Sequence, residues 1–170
     1  MAAHYTEPVA WHASLPGVVT TAAALIGDGG GKILLVKPNY RDFWGLPGGI
    51  CEFREPPHAG CAREVAEELG LVRPVGHLLS LDWKVPQAVY GSASRPVVYF
   101  IFDGGTLTTL DDVRLQTEEL EDCRFAAADE MAVLLPPHGL HRVFAALSAR
   151  DSGCPRYVPQ WDASSLPAAD

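Results

Sequence analysis

Hydrophobic positions along this chain follow two rhythms, and the changes between them mark out its elements. Residues 18–26 form a β-branched apolar run, "GDGGG" follows, and "KILLVK" is apolar again, which predicts strand, Gly-rich turn, strand: a hairpin. "PNYRDF" predicts a loop, and "WGLPGG" a short strand ending in a sharp Pro-Gly-Gly bend. Pro56 and Pro57 suit the first turn of a helix that runs to about Leu69, with Gly70 as its C′ residue. At about 100° per residue, Ala62, Val65, Ala66 and Leu69 share one side of that helix, while Glu64, Glu67 and Glu68 share the other. "VGHLLSLDWKV" and "RPVVYFIFDGGTL" predict strands joined by the loop "PQAVYGSAS", the second apolar enough for a central strand buried on both faces. "EELEDCRFA" predicts a further strand, followed by helices over 128–135 and 138–149.

The resulting organisation is an N-terminal arm over 1–16, one domain over 17–150 and a C-terminal tail over 151–170, ordered only where it docks. The length suits a single domain with a substantial core. No internal repeat or low-complexity segment interrupts it.

Charge and cysteine usage narrow the chemistry. The formal net charge is −8 with no basic run, which argues against a bulk electrostatic grip on nucleic acid or anionic lipid. An enzyme for anionic substrates would need a cation to offset the repulsion. Cys51, Cys61, Cys123 and Cys154 are widely spaced without a CxxC pair, so four reduced thiols are favoured over a zinc site or a His58–Cys61 metal pair. The N-terminus lacks the basic start and apolar core of a secretory signal, and the most apolar run is too short to span a membrane. A cytoplasmic protein is expected. "GDGGGK" fails as a phosphate loop because Ile33, rather than Ser or Thr, follows Lys32.

The helix around "REVAEELG" is electrostatically odd. Like charges at i,i+3 and i,i+4 oppose helix formation by roughly 0.2–0.5 kcal/mol per pair. Glu67 and Glu68 also lie in the last turn, the wrong end for the macrodipole. A divalent cation would resolve both conflicts, since a hard, octahedral ion prefers carboxylate and carbonyl oxygens.

Extended backwards, the stretch becomes "GICEFREPPHAGCAREVAEELGL", residues 49–71, in which Gly49, Glu55, Arg63, Glu64, Glu67, Glu68 and Gly70 stand at fixed spacing. This resembles the Nudix box with every specified position filled. "WGLPGG" before it and "TEELEDCRF" ahead of the last helices resemble the same family, over roughly residues 17–149. The resemblance implies an α/β fold, an α/β/α sandwich with a mixed β-sheet. It also implies Mg²⁺-dependent hydrolysis, with Mn²⁺ able to substitute, of a nucleoside diphosphate linked to another group. By the same resemblance Glu64 and Glu68 are the leading metal ligands, with Glu67 close behind and the carbonyl of Gly48 facing the same cluster. Arg63 and Glu55 hold the loop against the helix. The general base is a box glutamate or a downstream one, Glu119 first and Glu118 as the alternative.

Substrate identity stays open at this level. Pro86, beyond the box, resembles ADP-ribose-type members, which places ADP-ribose or a nucleotide sugar ahead of a free (d)NTP of the MutT type. A non-catalytic nucleotide sensor is the reading from another class, disfavoured because such domains have eroded box glutamates. Many members of the family are dimers, so a homodimer is carried as an expectation, although no stretch of this sequence marks an interface. Trp44, Trp83, Tyr90 and Tyr99 are expected in packing before base stacking, Lys37 and Arg41 on the solvated surface, and the histidines form no usable spacing.

Overall fold

The computed structural model describes residues 8–15, 17–85 and 95–159. Tyr90, Pro86 and the "PQAVYGSAS" loop lie outside the described residues. In chain order the elements are α1 (Pro8–Ser14), β1 (Val19–Gly27), β2 (Ile33–Pro38), β3 (Gly48–Ile50), α2 (Pro57–Leu69), β4 (Leu78–Lys84), β5 (Val97–Thr106), β6 (Leu120–Ala126), α3 (Ala128–Leu134), α4 (Pro137–Ser152) and β7 (Arg156–Pro159). They build one mixed sheet in the order β6-β2-β1-β5-β4-β7, with β3 paired to β1. The β1–β5 and β4–β7 pairs are parallel and the rest antiparallel.

Alternation along the strands produces two cores. Ala23, Leu25, Ile33, Leu35 and Ile101 pack with Met131, Val143 and Ala146 of α3 and α4 on one face. Ala22, Ala24, Ile26, Leu34 and Val36 pack with Cys61, Val65 and Leu69 of α2 on the other. The sheet is therefore sandwiched between helices, as the resemblance implied. The β1–β2 turn is held by Asp28, whose carboxylate accepts from the N–H groups of Gly30 at 2.7 Å and Lys32 at 2.9 Å.

Two expectations need correction, and a third gains detail. The short strand predicted from "WGLPGG" begins at the double glycine and runs on to Ile50, while the preceding segment contributes a single bridge from Gly45 to Val36. Fixed φ and a missing N–H make Pro47 a poor strand residue, so pairing starts only beyond it. The tail adds a seventh strand, β7, in parallel with β4. Finally, the strands most fully buried are β1 and β2, whereas β5, between β1 and β4, is buried at Val98, Ile101 and Phe102 but only partly so at Val97, Tyr99 and Phe100. Val97 and Tyr99 of β5 floor an open cleft there, and Ile101 lines its edge while packing into the core.

Candidate active site

Helix α2 starts on Pro56–Pro57 and stops at Gly70, which adopts φ 69° and donates its N–H to the Ala66 carbonyl at 3.0 Å. The carbonyls of Glu68 and Leu69 accept from Gln116 and Arg114 at 2.9 and 2.7 Å, so the loop before β6 closes the end of this helix. That closure carries Glu119 toward α2.

The apolar stripe is turned from its predicted position. Gly60, Cys61, Val65, Glu68 and Leu69 are the buried residues of α2, so Cys61 belongs to the core and Glu68 lies on the core boundary. Two turns at about 100° per residue return almost to the same azimuth, which places Glu68 directly over Cys61. The three acids are therefore graded rather than alike. Glu68 is 8% exposed, the Glu64 side chain 16% and that of Glu67 53%.

Arg63 organises the box. Its Nε and Nη2 donate to the two oxygens of Glu55 at 3.0 and 3.1 Å, a bidentate pair. Nη1 reaches Glu67 at 2.7 Å and Glu64 at 3.0 Å, and Nη2 also donates to the Ile50 carbonyl at 3.2 Å. Glu55 in turn accepts from the N–H of Glu52 at 2.9 Å. Arg63 holds the Glu55 carboxyl below the usual carboxylate range, and Glu55 in return raises the guanidinium. Loop, strand end and helix are thus tied through one side chain.

Glu68 makes a different contact. Its Oε2 accepts from the N–H of Gly48 at 2.7 Å. Burial pushes its carboxyl up to about 8 against the opposing pull of that hydrogen bond, and the charges of Glu64 and Glu119 push the same way. Burial also raises Glu64, with Glu67 and Glu119 adding to it and Arg63 opposing. Glu119 is exposed, with its backbone fixed by Asn39 and Gln116, and its field reaches both Glu64 and Glu68. Glu118 is tied through its carbonyl to the Asn39 side chain at 2.8 Å.

Among the described residues, no three His, Cys, Asp or Glu side chains are set to hold an ion as they stand. Glu64 and Glu67 are drawn to Arg63, and Glu68 is drawn to Gly48. The donor chemistry nonetheless fits a hard divalent cation. Beyond burial, Glu64 and Glu119 raise Glu68, and Glu67 and Glu119 raise Glu64, against the pull of Arg41 on the first and Arg63 on the second, a crowding of acids that a cation relieves.

The two glycines of β3 allow this close approach. A Cβ on Gly49 would stand 2.5 Å from the Glu64 carboxylate. Gly49→Ala is therefore expected to displace Glu64 and weaken any turnover that depends on a divalent cation at these acids about tenfold or more, with the fold retained. Steady-state rates against metal concentration, beside a melting curve, check this, and unchanged rates overturn it.

Behind β3 lies a cleft of about 440 Å³, in the range of small-molecule sites. Its floor is the α4-side face of β1 and β5, and its near end is Gly48, Gly49 and Arg41. Arg41 lies over the rings of Tyr40 and Phe43 at 5.5 and 5.0 Å and acts electrostatically on Glu68, so it belongs to the site and not to the open surface. Lys37, by contrast, is tied to the Arg41 carbonyl at 2.7 Å and to Glu121 at 3.1 Å. Trp44 packs against the core with Arg124 at 5.1 Å from its ring, as a packing residue should.

At the far end of the cleft, Arg142 of α4 stacks 3.6 Å above the Tyr99 ring and pairs with buried Asp82. His138 and Lys84 line the same end. No motif in the sequence marks Asp82, Lys84 or Arg142, and none gives His138 a role. Two periodicities could have found them: Asp82 and Lys84 are two apart on one strand face, and His138 and Arg142 are one helical turn apart.

The NUDIX domain family model matches residues 18–147. A MutT-like protein of Streptomyces ambofaciens is 32% identical over 97 residues, covering 57% of this chain and 53% of the relative. A CMP-5'-(N-acetyl-N-hydroxy-3-aminopropyl)phosphonate hydrolase of Streptomyces rubellomurinus is 32% identical over 136 residues, covering 71% of this chain and 62% of the relative. The chain thus spans 53% and 62% of the lengths of these two curated relatives. Among solved structures, a MutT protein of Methanosarcina mazei superposes with a TM-score of 0.64 at 25% identity, covering 81% of this chain and 99% of that one. A UDP-X diphosphatase gives 0.66 at 22% identity over 88% of this chain and 73% of that one, a likeness of fold alone. With the match running from the first strand of the sheet to the helix that roofs the cleft, and spanning Glu55, Arg63 and the three acids of α2, the chain belongs to the Nudix family.

Proposed function

We propose that the chain is a divalent-metal-dependent pyrophosphohydrolase acting on a nucleoside diphosphate linked to another group, with Mg²⁺ as its metal and Mn²⁺ able to substitute. The observation that carries this reading is the buried Glu68 carboxylate, pinned to Gly48 beside Glu64 and Glu119 at the near end of an open cleft. Glu64, Glu67 and Glu68 are the ligands of this proposal, together with the Gly48 carbonyl. A bound divalent ion supplies charge neutralisation on the diphosphate and acidifies the attacking water. Arg63 and Glu55 position the carboxylates. Arg41, which lines the near end with Gly48 and Gly49, would meet the substrate phosphates there. Glu119 is the proposed general base, since it is solvent-accessible and shares a field with two of the ligands.

Two features favour a nucleotide joined to another group, of the ADP-ribose or nucleotide-sugar type, over a free (d)NTP. The cleft runs from Gly48–Gly49 across β1 and β5 to Lys84 of β4, leaving room for a group beyond the anhydride. The Streptomyces rubellomurinus relative is named for hydrolysing a CMP-linked phosphonate.

The test is Mg²⁺- and Mn²⁺-dependent formation of cleavage products, resolved by chromatography, from a panel of (d)NTPs, ADP-ribose, nucleotide sugars, dinucleoside polyphosphates and coenzyme A. Cleavage of a diphosphate-linked compound with little on free (d)NTPs is expected. Inactivity on every compound with either metal, despite nucleotide binding, sinks the enzyme reading in favour of a sensor. A preference for (d)NTPs sinks the substrate class alone.

A further inference from the structure

Sheet register sets the cleft's length. Ile50, Thr21, Tyr99 and Asp82 are successive cross-strand partners over β3, β1, β5 and β4. Three strand spacings put Asp82 about 14 Å from the β3 end where the box acids lie. At that distance Arg142 presents its guanidinium flat on Tyr99, with Nε and Nη2 donating to Asp82 Oδ2 at 2.8 and 2.7 Å. Both members of the pair are nearly buried, at 12% and 7% side-chain exposure. Lys84 projects from the same strand face as Asp82, and His138 precedes Arg142 by one turn of α4. Lys84, Arg142 and Asp82 all act on His138, so the four share one electrostatic neighbourhood.

An ion pair holding α4 to β4 explains Arg142 and Asp82 but not the rest. Among the described residues, two permanent cations and a histidine meet a single carboxylate here, in a chain whose net charge is −8. Arg142 spends only part of its donor fork on Asp82, and Lys84 adds an ammonium toward the same space. The surplus is positive, donor-rich and inside the cleft, which is how proteins recognise phosphate and carboxylate groups.

We infer that the far end of the cleft, built by Lys84, Arg142 and His138 around Tyr99, binds a second anionic group of the substrate, a carboxylate or phosphate remote from the anhydride. This rests on the proposed function, in which the anhydride sits at Gly48–Gly49. The substrate class narrows accordingly, to nucleoside diphosphate derivatives that carry a further acid group. That group belongs either to the non-nucleotide part, as in a uronic acid, or to the nucleoside, as in a ribose phosphate.

Two ligand pairs that differ by one acid group separate these sources. UDP-glucose and UDP-glucuronate differ by a carboxylate on the sugar, and dephospho-coenzyme A and coenzyme A by a phosphate on the ribose. Calorimetric titration of the full chain in EDTA keeps binding independent of turnover. In one pair the charged member is expected to bind about tenfold tighter, the scale of a charge-assisted contact. In Lys84→Met that ratio falls below about threefold, while Lys84→Arg retains it and raised salt shrinks it. Equal Kd within both pairs, no binding by any of the four ligands, or a ratio unchanged in Lys84→Met overturns the inference. A retained preference with no hydrolysis of any compound supports the anion site and overturns the proposed function. Hydrolysis with equal Kd in both pairs does the reverse.

Discussion

Glu68→Gln lowers metal-dependent turnover about a hundredfold or more and, in the absence of metal, makes the protein more stable at pH 8 than its parent. The two halves share one cause. Glu68 is buried against the core boundary, and burial holds its carboxyl at about 8 even though the Gly48 N–H favours the anion. Its folded value lies above its unfolded one of 4.5, so folding favours the protonated acid. Stability from this group is fully present below about pH 4.5, declines as pH rises toward 8, and is absent above that. The amount is on the order of a few kcal/mol, reduced by water and side-chain relaxation around the acid. Gln keeps an oxygen for the Gly48 N–H but cannot ionise, so its metal-free curve lacks this contribution. On the proposed assignment a ligand charge is lost with it, which is worth several kcal/mol to a metal-dependent reaction. Melting curves of both proteins in EDTA from pH 5 to 8, repeated with Mg²⁺, supply the check. Parallel pH profiles of the two metal-free proteins overturn the electrostatic account, and near-parental turnover overturns the ligand assignment.

Gly48→Ala destabilises the fold by about 3 kcal/mol or more, through a clash that no rotamer can relieve. Gly48 has φ 142°, a conformation L side chains rarely adopt. Its added Cβ would stand 2.2 Å from the Ala22 carbonyl oxygen and 2.5 Å from the Ala23 Cα. Both are backbone atoms of β1, a strand held on one edge by β3 and on the other by β5. β3 must therefore separate from β1, taking the Glu68 hydrogen bond with it. Soluble yield and thermal melting measure the outcome, and a variant melting within a few degrees of the parent contradicts the steric argument. Gly49→Ala differs in kind, because there the obstacle is the end of a side chain that can move.

Which parts of this molecule were legible in the sequence follows from how local their causes are. The hairpin turn, the Pro–Pro start of α2 and its Gly70 stop depend on residues adjacent in the chain, and all three stand as expected. The acid face was half-read: the helix and its glutamates are local facts, but their unequal burial comes from how α2 docks. Glu68 tops Cys61 because the stripe is centred on Cys61, Val65 and Leu69, and side-chain type alone favoured Ala62 and Ala66. The cleft was invisible for a related reason. Val97 and Tyr99 have the composition of a buried strand, and only the placement of α4 and the segment after β2 leaves them partly uncovered. β7 lay in a stretch whose prolines suggest a loop, and its pairing with β4 is a long-range contact.

β1 is joined to β3 on one edge and, in parallel, to β5 on the other, and everything between β1 and β5 lies in the loop this pairing closes. That loop contains α2 entire. Closing it costs chain entropy before any contact rewards it. The field that raises Glu64 and Glu68 also needs Glu119, which reaches α2 only because the carbonyls at the helix end hold the loop before β6. The motif is written in one short stretch of chain, yet the constellation is not portable. A peptide carrying residues 49–71 would have the acids and the arginine without the burial, the Gly48 anchor or the opposing glutamate, and would be a largely unfolded charged chain in water.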